Sequence, residues 1–212
     1  MSAHEIEELR RELALRDAFL AQACAGLRGC VERLALTGAN VDELRSFARE
    51  LAIIAGDDEA RTPRRTEVDA GEQVTKAAAT WRARTRDTVP IHVAFDGAAD
   101  VIGSWDEDLL GAILGELISN ACKYGGGRRV TVRVEADAAT VSFVVEDEGH
   151  GLDENAAPAR RFTRGRETSG TPGFGVGVWL TRLLAEAHGG TLRLERRAVA
   201  GTRAIVELPR GG

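Results

Sequence analysis

The sequence predicts an α+β protein in two parts, an N-terminal antiparallel helical hairpin followed by a two-layer α/β sandwich. Three patterns carry this expectation. Apolar residues near the start recur every seven positions. Later stretches switch between helical and alternating periodicity. The later strands come as antiparallel neighbours, which favours α+β over a parallel doubly wound sheet.

The period of seven runs through Ile6, Leu13, Leu20, Leu27 and Leu34, with Leu9, Ala23 and Cys30 at d-like positions and Arg16 as the exception. A seam this narrow suits a helix that pairs with other helices. Thr37-Gly38-Ala39-Asn40 breaks the pattern with turn residues. A second helix follows, with Asp42 near its start and Val41, Leu44, Phe47, Leu51 and Ile54 as its apolar set. Two helices joined by a short turn have little core of their own. The expected form is therefore a homodimer through residues 4–55, two hairpins making a four-helix bundle. On this reading residues 1–56 are the dimerisation hairpin, 57–71 a polar linker containing Pro63, and 72–212 the second domain.

Within the second domain a helix is expected around Glu72 to Arg86 and a first strand at Ile91–Phe95. A helix then runs from about Asp106 to Tyr124. Val130–Ala136 and Thr140–Glu146 alternate as a strand pair. Gly175–His188 has helical character, and Thr191–Arg196 and Thr202–Leu208 are the last strands. No internal repeat or low-complexity tract interrupts this order.

Composition removes several classes of function. Apolar residues make up 43% of the chain and charged residues 29%, ordinary for a folded domain. No apolar run reaches the length of a membrane-spanning helix, so no membrane insertion is expected. Met1 is followed by His4, Glu5, Glu7 and Glu8, unlike a secretory leader. Cys24, Cys30 and Cys122 form no CxxC pair, which argues against a disulfide scaffold or a structural zinc site and fits the cytoplasm. The net charge of −5 lacks a basic block, so no nucleic-acid partner is expected.

Three short blocks carry chemistry. In Gly115-Glu116-Leu117-Ile118-Ser119-Asn120-Ala121-Cys122-Lys123-Tyr124, the residues Glu116, Asn120, Lys123 and Tyr124 share one helix face. A carboxylate, an amide oxygen, an ammonium and an aromatic ring suit a metal-bound polyphosphate beside a base; taken alone, a polar helix face is more often simply solvated. In Val144-Val145-Glu146-Asp147-Glu148-Gly149-His150-Gly151, a β-rich run ends in a carboxylate and a D-x-G-x-G turn. Asp147 can accept a hydrogen bond from an exocyclic amine, while Gly149 and Gly151 permit close backbone approach. A plain strand-end turn is an equal reading of that block, and His150 is assigned no role. In Gly173-Phe174-Gly175-Val176-Gly177-Val178, alternating glycines run into a helix whose N-terminal amides can cradle an anion. This is neither a Walker loop nor the Rossmann spacing.

In this order and spacing, the blocks resemble the N, G1 and G2 boxes of the Bergerat-fold (GHKL) ATPases. That superfamily includes sensor histidine kinases, gyrase, a class of heat-shock chaperones and the mismatch-repair ATPases. Arg161-Phe162-Thr163-Arg164-Gly165 resembles the F box of the histidine kinases. Ala187-His188-Gly189-Gly190-Thr191 and Gly201-Thr202 through Leu208-Pro209 resemble the end of their catalytic domain. The resemblance covers about residues 66–210. It implies ATP and Mg²⁺ as cofactors, with Asn120 coordinating Mg²⁺ through ATP and Lys123 contacting phosphate. Tyr124 would line the nucleotide site and Asp147 would bind adenine. Gly149, Gly151, Gly173, Gly175 and Gly177 would shape the pocket and a lid from about Asp153 to Pro172. Glu116 occupies a position where relatives such as gyrase carry a water-activating glutamate, which implies a catalytic base.

The hairpin departs from the family. Phe19-Leu20-Ala21, Leu27 and Arg28 resemble the lead-in and H box of the histidine kinases, but the stretch reads Cys24-Ala25-Gly26-Leu27-Arg28-Gly29-Cys30. Ala25 takes the place of the phosphoacceptor histidine, and Gly26 that of its acidic neighbour. The resemblance thus implies an ATP-binding protein of two-component signalling that acts on or with a partner, by trans-phosphorylation or slow ATP hydrolysis, without autophosphorylation on this helix. The partner would be a response regulator or another histidine kinase. The alternative is a catalytically silent pseudokinase that docks such a partner in a nucleotide-dependent way.

Overall fold

The computed structural model describes residues 6–14, 16–18, 20, 49–54, 58–96, 101–151 and 176–211. They fall into two compact units, one of residues up to Arg61 with Val176, the other of residues from Thr62 to Gly151 and from Gly177 to Gly211.

In the first unit, the described residues between 6 and 20 are helical, as are 49–54, and α1 is Asp58–Arg61. Leu9, Leu13 and Leu20 are 51–52% exposed, whereas Ile53 and Ile54 are buried. Arg49 Nε donates to the Ala60 carbonyl at 2.8 Å. The expected turn at Thr37–Asn40, the rest of the heptad seam and the Cys24–Cys30 stretch lie outside the described residues.

The second unit is a five-stranded sheet with helices against it, plus a two-stranded ribbon. Its elements are β1 (Thr66–Asp69), α2 (Ala70–Thr85), β2 (Ile91–Asp96), β3 (Ile102–Trp105), α3 (Glu107–Tyr124), β4 (Val130–Ala136), β5 (Thr140–Asp147), α4 (Gly177–Ala187), β6 (Thr191–Arg196) and β7 (Thr202–Pro209). The sheet order is β2-β4-β5-β7-β6, and β1 pairs with β3. The architecture is the expected α+β sandwich, with one difference: β2 runs parallel to β4, while the other ladders are antiparallel. The reason is connectivity. Between β2 and β4 the chain passes through α3, a crossover that returns it in the same direction.

A second difference concerns residues 57–71, read as linker. The structure places α1, β1 and the start of α2 inside that range. Thr66-Glu67-Val68-Asp69 is too short and too polar to register as a strand, with Val68 its single buried residue. Its partner β3 is equally short, and pairing the two satisfies the backbone of both.

Alternation on the strands sets the core. Val130, Val132 and Val134 of β4 and Val141, Phe143 and Val145 of β5 are buried on the helix-covered face. On α3, Leu109, Leu110, Ile113, Leu114, Leu117, Ile118 and Ala121 recur at helical spacing and are buried. Trp105 is fully buried, lies edge-on to Phe143 at 5.9 Å, and donates from Nε1 to the Pro209 carbonyl at 2.8 Å. On the opposite face Val144 and Ile205 are also buried, under cross-strand pairs such as Arg133–Glu146 at 3.0 Å and Arg203–Glu146 at 3.5 Å.

Helices α3 and α4 are joined at one end through a buried histidine. Asp106 caps α3, its Oδ1 accepting from Leu109 N at 3.1 Å and its Oδ2 from Arg64 N at 2.6 Å. The Asp106 N–H in turn donates to His188 Nε2 at 3.1 Å, just after the end of α4. Arg65 spans the Ser104 carbonyl at 3.0 Å and the His188 carbonyl at 3.1 Å.

Candidate functional site

The site grows from α3. Its apolar stripe turns to the core, and the complementary stripe carries Glu116, Asn120 and Lys123. Glu116 and Asn120 are half-buried and Lys123 is exposed. Helix α4 is antiparallel to α3, since its end lies at Asp106 through His188 while its first residue, Gly177, reaches Glu116 and Asn120. A Cβ on Gly177 would overlap Glu116 Oε2, and it would stand 3.5 Å from Asn120 Nδ2. The first residue of α4 thus lies directly against the two polar groups.

Glu116 makes no hydrogen bond among the described residues. Its burial raises the carboxyl pKa above the ordinary 4.5, and the Lys123 charge partly opposes that shift. A poorly hydrated carboxylate with no donor of its own is held ready to accept one from outside.

The second cluster forms where β5 ends. Asp147 is 5% exposed, and its Oδ1 accepts from Gly149 N at 2.8 Å. Its Oδ2 has no hydrogen-bond partner among the described residues. The turn after it packs backbone on backbone against the end of α3: a Cβ on Gly149 would overlap the Tyr124 carbonyl, and one on Gly125 would come to 3.4 Å from Asp147 Cβ. Gly151 adopts φ +83°, in the left-handed region that favours glycine. The half-buried Tyr124 thus lies beside Asp147, with Asn120 one helical turn before it and Glu116 one turn earlier still.

The structure therefore brings Glu116, Asn120 and Gly177 together, and Tyr124, Asp147 and Gly149 together, at two points along α3. Lys123 sits at the exposed edge between them. Gly173, Gly175, Arg161–Gly165 and the lid stretch lie outside the described residues. Sequence reading missed two contributors. Gly125 follows the N-box stretch and stands against Asp147, and Arg197 donates from Nη1 to the Asp147 carbonyl at 2.7 Å. Neither carries a local signal, because each acquires its neighbour only through the fold.

Chemically, the set offers oxygen ligands of the kind Mg²⁺ prefers, a cation for phosphate and a buried acceptor for an amine. It fits a magnesium-bound nucleoside polyphosphate.

Comparison with known proteins agrees with this geometry. The family model described as "Histidine kinase-, DNA gyrase B-, and HSP90-like ATPase" matches residues 105–212. The chain is 38% identical over 107 residues to the sensor protein kinase CarS of Pseudomonas aeruginosa, a match covering 50% of this chain and 23% of that kinase. Among solved structures, the mycobacterial sensor histidine kinase MprB aligns with a TM-score of 0.59 and 25% identity, over 68% of this chain and 97% of that one. The ATP-binding domain of PrrB from Mycobacterium tuberculosis aligns with a TM-score of 0.54 and 25% identity, over 70% of this chain and 98% of that one.

The raised pKa of Glu116 makes stability depend on pH in a definite direction. Above the ordinary 4.5 the unfolded chain releases this proton while the folded chain still holds it, so the folded state loses stability as pH rises through that window. Glu116→Gln removes the titration. In thermal unfolding between pH 4 and 8, the variant should gain on the parent as pH rises, and a difference independent of pH would contradict the burial of this carboxyl.

Proposed function

The chain belongs to the histidine kinase-, DNA gyrase B-, and HSP90-like ATPase family, and from that premise we propose that it binds ATP with Mg²⁺ and acts on or with a partner in two-component signalling, without phosphorylating its own first helix. The observation that carries the ATP reading is Asp147: a carboxylate 5% exposed, with one oxygen used internally and the other without a partner among the described residues. Such an oxygen, on a buried residue whose Cβ lies near Gly125 and whose turn packs on the Tyr124 main chain, suits the exocyclic amine of adenine. Asn120 would hold Mg²⁺ through the bound nucleotide, Lys123 would contact phosphate, and Gly177 would present the α4 amides to it. The metal supplies charge neutralisation for the phosphates when bound.

Glu116 is assigned as the base. Its carboxyl lies against Gly177 and Asn120, at the end of the site opposite Asp147, and it is not committed to another donor among the described residues. Accepting a proton from an attacking group is the use that fits this environment. The attacking group would be water in slow hydrolysis, or a partner's histidine in trans-phosphorylation. Ala25 and Gly26 offer neither nucleophile nor base on the chain's own helix. The same pair favours the alternative, a nucleotide-binding pseudokinase whose hairpin docks a response regulator or a partner kinase. The matched relative CarS is a sensor kinase, which supports the signalling assignment.

Titration calorimetry with ATP and Mg²⁺ tests the reading directly. Asp147→Asn should weaken ATP binding at least about tenfold, because an amine then faces an amide in place of a carboxylate. Absence of affinity in the parent would end the ATP reading.

Turnover separates the two versions. Glu116→Gln should lower hydrolysis by roughly two to four powers of ten with ATP affinity almost unchanged. Equal turnover in parent and variant removes Glu116 as the base, and no turnover in the parent favours the pseudokinase.

Homodimerisation through residues 4–55 belongs to the same proposal, supported by the heptad seam and the half-exposed Leu9, Leu13 and Leu20. Leu20→Glu with Leu27→Glu should yield monomers in sedimentation velocity. A parent chain that is monomeric at micromolar concentration overturns the bundle.

A further inference from the structure

The β6–β7 turn lies against the Asp147 turn although the two are far apart in sequence. The ladder between β5 and β7 ends at the pair Glu146↔Arg203. One residue further, the Asp147 carbonyl is taken by a side chain in place of a strand: Arg197 Nη1 donates to it at 2.7 Å. The Arg197 main-chain N–H donates to the Gly201 carbonyl at 3.0 Å and closes the β6–β7 turn. Gly201, at φ +93°, sits directly on Asp147: a Cβ there would overlap the Asp147 carbonyl oxygen and stand 2.9 Å from Glu148 Cα. Gly151 backs onto the same turn, its Cβ position 3.0 Å from the Gly201 carbonyl. From the other side Arg128 Nη1 donates to the Glu148 carbonyl at 2.9 Å.

We propose that Arg197 is a positioning residue for recognition of the nucleotide base. It anchors the main chain of Asp147 from behind and so fixes the direction in which the carboxylate meets an exocyclic amine. The inference rests on the ATP reading above and adds to it the element that makes the base contact selective. The physical argument concerns where rigidity comes from. Among the described residues the Asp147 side chain is steered only by its bond to Gly149 N; the ladder to β4 holds Asp147 opposite Val130, so its remaining freedom lies on the side where the β7 ladder has ended. A charge-assisted bond from a guanidinium to the carbonyl of the same residue removes that freedom at the point from which the carboxylate projects. Discrimination against a base lacking the amine depends on leaving that buried acceptor unpaired, and an acceptor free to swing away avoids the penalty.

The test uses the intact chain and two nucleotides, ATP and purine riboside triphosphate, which lacks the 6-amino group. Affinities of the parent, Arg197→Ala and Arg197→Lys are measured by calorimetry with Mg²⁺ present. In the parent, loss of the amine should cost about tenfold or more in affinity. In Arg197→Ala the ratio between the two nucleotides should fall to within about threefold, through loss of ATP affinity with little change for the analogue. Arg197→Lys retains a cationic donor and should recover most of the ratio. Partial unfolding scales both affinities equally and leaves the ratio intact, so a merely structural role does not imitate the result. If Arg197→Ala does not fold, Arg197→Met, which keeps the aliphatic stem without the donors, carries the same expectation. A parent that discriminates, with alanine or methionine variants that discriminate equally well, overturns the role of Arg197 alone. A parent that binds both nucleotides equally overturns amine recognition by Asp147 and the proposal with it. A parent that binds neither overturns the ATP reading itself.

Discussion

The joint between α3 and α4 is the constraint on which the site depends, and the buried imidazole of His188 forms it at one end. A carbonyl can only accept, so the 2.8 Å contact between His188 Nδ1 and the Leu184 carbonyl places the proton on Nδ1. Nε2 is then a lone-pair acceptor, the form needed to receive the Asp106 N–H. The ring is neutral, and both nitrogens are spoken for. Asp106 also caps α3 and holds Arg64, and Arg65 reaches the His188 carbonyl, so the segment leading into β1 is tied to the same joint. At the far end the two helices meet through Gly177, Glu116 and Asn120. Two contacts, one at each end, hold the pair together, so the placement of Glu116 against α4 is backed by a joint roughly two to three helical turns away.

Much of this was legible in the chain itself, for identifiable reasons. Helix α3 announces its apolar spacing, its aspartate cap and its polar face within a single stretch, so local rules suffice. The D-x-G-x-G turn is likewise local. The strands β1 and β3 were illegible because four residues with one or two buried side chains carry too little periodicity, and each exists through the other. The parallel pairing of β2 with β4 is a property of the crossover and leaves no trace in either strand. Arg197 is the clearest case: nothing near it in sequence says that its guanidinium will cap a strand end on the far side of β7. The hairpin stands apart, since half of the seam that suggested it falls outside the described residues. The resemblance was read over about 66–210, and the family model matches 105–212, the part that contains all the boxes.

The sheet solves a different problem on its helix-free face. A two-layer sandwich leaves one side of its central strands without helices, and here that side holds Val144 and Ile205, paired in register and flanked by Arg133 and Arg193. Guanidinium groups paired with Glu146, Glu135 and Glu207 lie over these two side chains. Long stems bury apolar area while the ion-paired heads lie partly exposed, so the face is covered without a third layer.

The floor beneath Asp147 is built largely from main chain: Gly125, Gly149, Gly151 and Gly201 bring peptide planes together in the joint between the α3 terminus and the two turns. A core of interlocking side chains can absorb a substitution by repacking its neighbours. Peptide planes in direct contact have nothing to repack, and any added methyl must push whole segments apart. The region is therefore lopsided in what it can absorb: an exposed edge can take an added side chain, while at Gly149 or Gly201 an added methyl meets main chain that has nowhere to go.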